Sequence, residues 1–121
     1  MISQLEIEFH NIQPTDSLES RVRQELAEFE KYYDRLLSCR VNIEAPEHEH
    51  RGGISKVQID FGLPAGDVDQ NEFGKLAEKP DSVPMEVKAE HKDPALAVHA
   101  AFNDARRRLK DVLIARFTEA R

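Results

Sequence analysis

The sequence has no tryptophan, a single cysteine, few aromatics and no apolar run long enough to cross a bilayer, which takes roughly 20 residues. One cysteine, Cys39, cannot close an intramolecular disulfide or supply the ligand set of a structural zinc. Its position on an apolar strand face predicts a buried, inert thiol rather than a nucleophile. The opening residues, MISQLEIEF, lack the basic start and apolar core of a signal peptide, so a cytoplasmic protein with no membrane partner is expected. A basic excess is missing too. The formal net charge is −6, and any contact with nucleic acid must come from a local cluster of cations. Glycine-rich phosphate loops, serine-nucleophile motifs and metal-binding helix motifs are absent, which points to a non-enzymatic protein without cofactor or small-molecule substrate.

What is present is one domain's worth of patterned chain, 121 residues with 40% hydrophobic and 33% charged side chains. Ser3 to His10 alternate apolar and polar in the period-two manner of a strand with one buried face. Asp16 with Glu19 resembles a capping box, and Leu18, Val22, Leu26, Phe29, Tyr33 and Leu36 step by three or four, predicting a helix that ends near Leu37. Cys39, Val41, Ile43 and Ala45 share one parity until Pro46 stops the strand. After a polar turn closing on Gly52 and Gly53, Val57, Ile59 and Phe61 alternate again, so the two strands make an antiparallel hairpin. Residues 63–84 carry Pro64, Gly66, Gly74, Pro80 and Pro84 and a net acidic stretch from Asp67 to Ser82, and read as a long loop or insertion. Val83 to Glu90 alternate as a fourth strand, placed at an edge by Pro84. Asp93 and Pro94 match a helix cap with proline at the first position, opening a helix with Ala97, Val98, Ala101, Phe102, Ala105, Leu109, Val112 and Leu113 on one side.

The order β-α-β-β-β-α, with one apolar face per strand, predicts an α+β fold over residues 1–121: a four-stranded sheet with two helices packed on one face. Its open face would hold Glu6, Glu8, Glu44, Asp60, Glu86 and Glu90 against Arg40, Lys56 and Lys88. Phosphate should avoid that surface. From His99 onwards the balance reverses, with Arg106, Arg107, Arg108, Lys110, Arg116 and Arg121 against Asp104, Asp111 and Glu119, which makes the last helix the first candidate for a phosphate-facing surface, the plainer reading being a solvated charged face. Arg21, Arg23, Lys31 and Arg35 would add to it if the first helix lies alongside. Tyr32 and Tyr33 at the end of the first helix could stack on a base, but the spacing favours Tyr33 in the core and Tyr32 as a boundary aromatic. His48 and His50 share a parity and make half a metal site with no third ligand, so no metal is assigned.

Tyr33-Asp34-Arg35, Ser38-Cys39-Arg40-Val41 and Ile43-Glu44-Ala45-Pro46, then the histidine-rich turn with Gly53, Val57 and Ile59, Pro64 and Gly66, and Asp93, Ala97, Phe102, Ala105, Arg106-Arg107 and Leu109 resemble the ribosome hibernation-promoting factor and ribosome-associated translation inhibitor family. The resemblance spans most of the chain. It implies a fold superficially like a double-stranded RNA-binding domain, and binding to the small ribosomal subunit and its ribosomal RNA near the messenger and transfer RNA sites, silencing translation under stress. Carried to matching positions, it implies RNA contacts by Arg35, Arg40, Arg106, Arg107 and Arg108, with Lys110 and Lys92 as further candidates. The sequence departs from the family pattern in its acidic total and in the acidic 67–82 segment, and with its end just after the second helix it is expected to lack the C-terminal dimerisation domain of long members. The alternative expectation is a protein-interaction module of the same fold that uses the acidic sheet face, with Glu44 and Glu86, against a basic partner.

Overall fold

The computed structural model describes residues 4–46, 53–68 and 82–114. Four strands form one sheet in the order β1-β2-β3-β4: β1 (Leu5–His10), β2 (Ser38–Glu44), β3 (Ser55–Pro64) and β4 (Ser82–His91). Helix α1 (Asp16–Tyr32) connects β1 to β2, and α2 (Pro94–Val112) follows β4. β1 and β2 are parallel, because α1 carries the chain back to the start of the sheet before β2 begins. β2–β3 and β3–β4 are antiparallel, as consecutive strands without a crossover should be. The predicted order β-α-β-β-β-α is the observed one.

Strand parity decides what is buried. Cys39, Val41 and Ile43 of β2, Val57, Ile59, Phe61 and Leu63 of β3, and Val83, Met85 and Val87 of β4 face the helices, as do the partly buried Leu5, Ile7 and Phe9 of the edge strand β1. Both helices meet them through three aromatic rings. Phe61 stacks on Phe29 of α1 with centroids 4.9 Å apart and meets Phe102 of α2 edge-on at 5.9 Å, while Phe29 and Phe102 lie 6.2 Å apart. This triad fixes both helices against the sheet and against each other. Cys39 lies in the same core, and burial, assisted by the Glu30 and Asp60 carboxylates, pushes its thiol pKa up to about 12. It is the buried thiol its strand position predicts.

The local boundaries differ from expectation at four places. Helix α1 is capped by Thr15, whose side-chain oxygen accepts from the Leu18 N–H at 3.1 Å, so Asp16 is a first-turn residue rather than the cap. There it still complements the helix dipole together with Glu19. The helix stops at Tyr32 instead of Leu37, because Tyr33 turns into extended backbone and the Leu37 N–H donates to the Gly62 carbonyl of β3 at 2.9 Å. Tyr33 and Leu36 are buried all the same. The expected loop over 63–84 is shortened at both ends: β3 runs to Pro64 and continues into a 3-10 turn (Ala65–Asp67), and β4 starts at Ser82 with Pro84 already paired opposite Gly62. Its middle lies outside the described residues. Leu113 caps α2 and pairs with Val68, and the Ile114 N–H donates to the Asp67 carbonyl at 2.9 Å, so the end of the last helix is tied to the turn after β3.

Candidate nucleic-acid interface

The register sorts the sheet's open-face charges into three rows across the strands. The first runs Glu6, Arg40, Asp60, Glu86; the second Glu8, Asn42, Gln58, Lys88; the third His10, Glu44, Lys56, Glu90. Six carboxylates against three cations leave this face acidic, as its parity predicts. Arg40 is in the first row, its Nε 3.1 Å from Glu6 and its strand partner on the other side Asp60. The Gln58 amide bridges Asp60 and Glu86 at 3.4 and 2.8 Å. A concavity of 820 Å³ opens here among Phe9, Asn42, Glu44, Lys56, Lys88 and Glu90. Its lining balances Glu44 and Glu90 against Lys56 and Lys88, so the acidic excess of this face comes from the rows outside the concavity.

The helix layer is on the other side of the sheet, and there the cations gather at the seam between the end of α1 and the second half of α2. Arg106, Arg107 and Lys110 surround an open groove of 580 Å³ together with Tyr32, Ala100, Asn103 and Asp104. Arg106 donates to the Asn103 side-chain oxygen, and Arg107 pairs with Asp104 one turn away. Lys110 is exposed in the last turn of α2, where a cation also complements the helix dipole. Lys31 of α1 borders the neighbouring part of the seam and pairs with Glu28 at 3.2 Å.

Beneath these cations a relay of polar side chains joins the two helices. Glu25, 8% exposed, accepts from Arg21 at 3.5 Å and faces the His99 Nδ1 at 2.7 Å; the Asn103 amide nitrogen is 3.0 Å from the His99 Nε2, and the Asn103 oxygen takes Arg106. A proton on His99 Nδ1 donates to Glu25 and leaves Nε2 to accept from Asn103, which satisfies every contact in this chain. Sequence reasoning passed over this relay. Its one legible sign is Glu25 itself, a carboxylate three residues after Val22 on the apolar stripe of α1, whereas its partner on α2 follows from no local pattern.

The other sequence-predicted residues are placed elsewhere. Arg35 lies in the α1–β2 connection, where its Nε donates to Asp67 Oδ2 at 2.6 Å; the same oxygen accepts from the Tyr33 hydroxyl at 2.5 Å. Asp67 is fully buried, and burial together with this carboxylate raises the Tyr33 pKa well above the ordinary phenol range. Arg108 leans away from the seam and donates to the Glu86 carbonyl at 3.1 Å, covering the outer edge of β4. Lys92 is exposed in the turn before α2, and the helix rise of about 1.5 Å per residue puts it roughly 20 Å from Arg106. Of the seven candidates the fold therefore brings together Arg106, Arg107 and Lys110. His48 and His50 lie outside the described residues, and among the described residues no group of three His, Cys, Asp or Glu side chains could hold a metal. Among those residues, too, no helix is long and apolar enough to cross a membrane.

No functionally curated protein sequence matches the chain. Among solved structures it is similar to the N-terminal domain of Protein Y from Thermus thermophilus, with a TM-score of 0.63 at 20% identity, covering 88% of this chain and 93% of that one. It is equally similar to a ribosomal subunit interface protein from Coxiella burnetii, with a TM-score of 0.63 at 10% identity over 89% of this chain and 94% of the other. At such identities the two likenesses establish a shared fold. The family described as Sigma 54 modulation protein / S30EA ribosomal protein matches residues 5–113, from β1 to the end of α2, in accord with the resemblance carried by the sequence motifs. The chain belongs to that family.

Proposed function

We propose that the chain is a cytosolic, non-enzymatic ribosome-binding protein, folded as one domain, that seats on the small ribosomal subunit and inhibits translation by covering the messenger and transfer RNA sites, the behaviour expected of a hibernation factor. Family membership supports ribosome association, and one feature of this chain supports the orientation: Arg106, Arg107 and Lys110 are gathered on the helix face, while the acidic excess is on the opposite face of the sheet. A net-acidic protein approaching ribosomal RNA would be turned by this asymmetry so that the helices face the phosphates. Inhibition then needs no chemistry, only occupancy by a domain that does not deform.

Co-sedimentation with purified small subunits across a salt series tests this reading. Binding should weaken as salt rises, and replacing Arg106, Arg107 and Lys110 by Gln should lower the slope of log K against log salt by roughly two to three. Binding that ignores both salt and the triple replacement overturns the contact surface. A second reading is favoured by the acidic rows of the open sheet face: a protein-interaction module whose partner presents a basic segment. It predicts no binding to ribosomes at physiological salt and a protein partner lost on charge reversal at Glu44 and Glu86.

A further inference from the structure

We infer that the groove between the end of α1 and the middle of α2 is a subsite for one unpaired nucleotide, with the Tyr32 ring as the stacking platform and Arg106 and Lys110 taking the flanking phosphates. The inference rests on the reading of the chain as an RNA-binding protein and specifies which form of RNA this face recognises.

Four large hydrophobic side chains are exposed among the described residues, and Tyr32, at 40%, is the aromatic one. It stands in the last turn of α1, and the next residue cannot move: Tyr33 is buried and its hydroxyl is held by Asp67. The platform's backbone is thus anchored on one side by that hydrogen bond and on the other by Phe29, stacked in the core. Tyr32 and Arg106 together border two adjoining hollows of the seam, of 580 and 480 Å³, within the range of about 300–1,000 Å³ typical of small-ligand sites. Ala100 keeps the wall of the first hollow low, so the ring is accessible from above.

The charges there suit a nucleotide. Arg106, Arg107 and Lys110 against Asp104 leave the first hollow an excess of two positive charges, and Lys31 against Glu25 and Glu28 in the second leaves the whole seam an excess of one, in a chain whose total is −6. Stacking on one exposed ring requires a base whose face is free, which a continuous duplex does not offer. Among the described residues the one side-chain amide lining the hollow, that of Asn103, is already engaged by His99 and Arg106, so base edges find few free readers and the subsite should tolerate any base. An acidic peptide would satisfy the cations but not use the flat ring, and nucleotide chemistry is the closer fit.

The chain contains two tyrosines and no tryptophan, so its near-ultraviolet emission comes from Tyr32 and the buried Tyr33 alone. We would titrate the full chain at low salt with short single-stranded oligoadenylate, a blunt RNA duplex, inorganic polyphosphate and a polyglutamate peptide, following binding by anisotropy and tyrosine emission. Oligoadenylate should quench the emission; Tyr32→Leu should abolish the quenching and weaken binding roughly five- to hundred-fold, and Tyr32→Phe should restore the binding that Tyr32→Leu loses. Polyphosphate and duplex affinities should be the same in Tyr32→Leu as in the parent chain, which also shows that the variant is folded. Oligoadenylate binding that is absent, unquenched or unchanged by Tyr32→Leu overturns the inference, as does a polyglutamate peptide that quenches as strongly. The two readings fail separately. If the Arg106, Arg107 and Lys110 replacement abolishes co-sedimentation while Tyr32→Leu leaves oligoadenylate binding intact, the stacking subsite alone is wrong; if oligoadenylate stacks but ribosomes are ignored, the ribosome reading is wrong.

Discussion

The Tyr33 hydroxyl donates to Asp67 Oδ2 at 2.5 Å, joining residues 34 positions apart at the point where α1 ends and the turn after β3 begins. The bond explains why the helix stops one residue earlier, and it clamps the platform residue Tyr32. Both partners are buried, so removing either one takes a hydrogen bond from the other in a low-dielectric site, with Asp67 Oδ2 keeping Arg35 when the hydroxyl is lost. Tyr33→Phe should cost about 1–3 kcal/mol in urea unfolding, and Asp67→Ala more, because Arg35 loses its counter-charge at the same time. A Tyr33→Phe stability equal to that of the parent chain would show the bond to be incidental.

The same burial makes the fold sensitive to alkali. Tyr33 and Cys39 both hold their protons more tightly when folded than when unfolded, Cys39 with its pKa pushed up to about 12. For a group raised in this way the stabilisation is complete below the unfolded pKa and lost above it, since the unfolded chain then binds fewer protons than the native one. With unfolded values near 8.5 for the thiol and 10 for the phenol, the unfolding free energy should begin to fall above about pH 8.5 and fall faster above about pH 10. Cys39→Ala should remove the first part of the slope and Tyr33→Phe the second. A flat profile from pH 8 to 11 in the parent chain would contradict both assignments.

The aromatic triad supplies a third test. Phe61 is in contact distance of one ring from each helix, so its removal opens a void that neither helix alone can fill. Phe61→Ala should cost about 3–5 kcal/mol and Phe61→Leu much less. Thermal unfolding followed by circular dichroism would read the difference, with α1 and α2 lost in one transition.

How much of this was legible in the sequence depends on where each constraint originates. Strand parity is local, so the buried faces of all four strands and the acidic open face follow directly from alternation. The Asp93–Pro94 cap is local too, and it is observed as expected, with the Asp93 carboxylate accepting from the Ala95 N–H at 2.9 Å. The end of α1 is not local: Tyr33 and Leu36 continue the helical spacing, and only the distant Asp67 and the Gly62 carbonyl draw the chain out of the helix. Thr15 and Asp16 are both good capping residues, and spacing could not choose between them. The candidate interface was legible in kind but not in membership. At about 100° per residue the α2 spacing turns Arg107 and Lys110 away from the apolar stripe, and both are exposed, yet whether Arg106 or Arg108, which flank the stripe, reaches the seam or the sheet edge is decided by what lies next to the helix.

Arg108 and Arg40 turn that distinction into a measurement. Arg108 donates to the Glu86 carbonyl at the outer edge of β4, the kind of cover that discourages edge-to-edge association. Arg40 lies on the opposite side of the sheet from the seam, with Glu6 and Asp60 as its nearest charged neighbours in the register. If the helix seam meets RNA, Arg108→Gln and Arg40→Gln should leave small-subunit binding and its salt slope unchanged, whereas Lys110→Gln, a replacement of equal charge, should weaken binding and lower the slope by about one. Uniform loss across the three variants would mean that ribosome affinity follows total charge rather than this face. Arg108→Gln should instead show in the oligomeric state: with the edge carbonyl uncovered, light scattering at high protein concentration should detect association that the parent chain resists, and Arg108→Lys, which keeps a donor in reach, should suppress it.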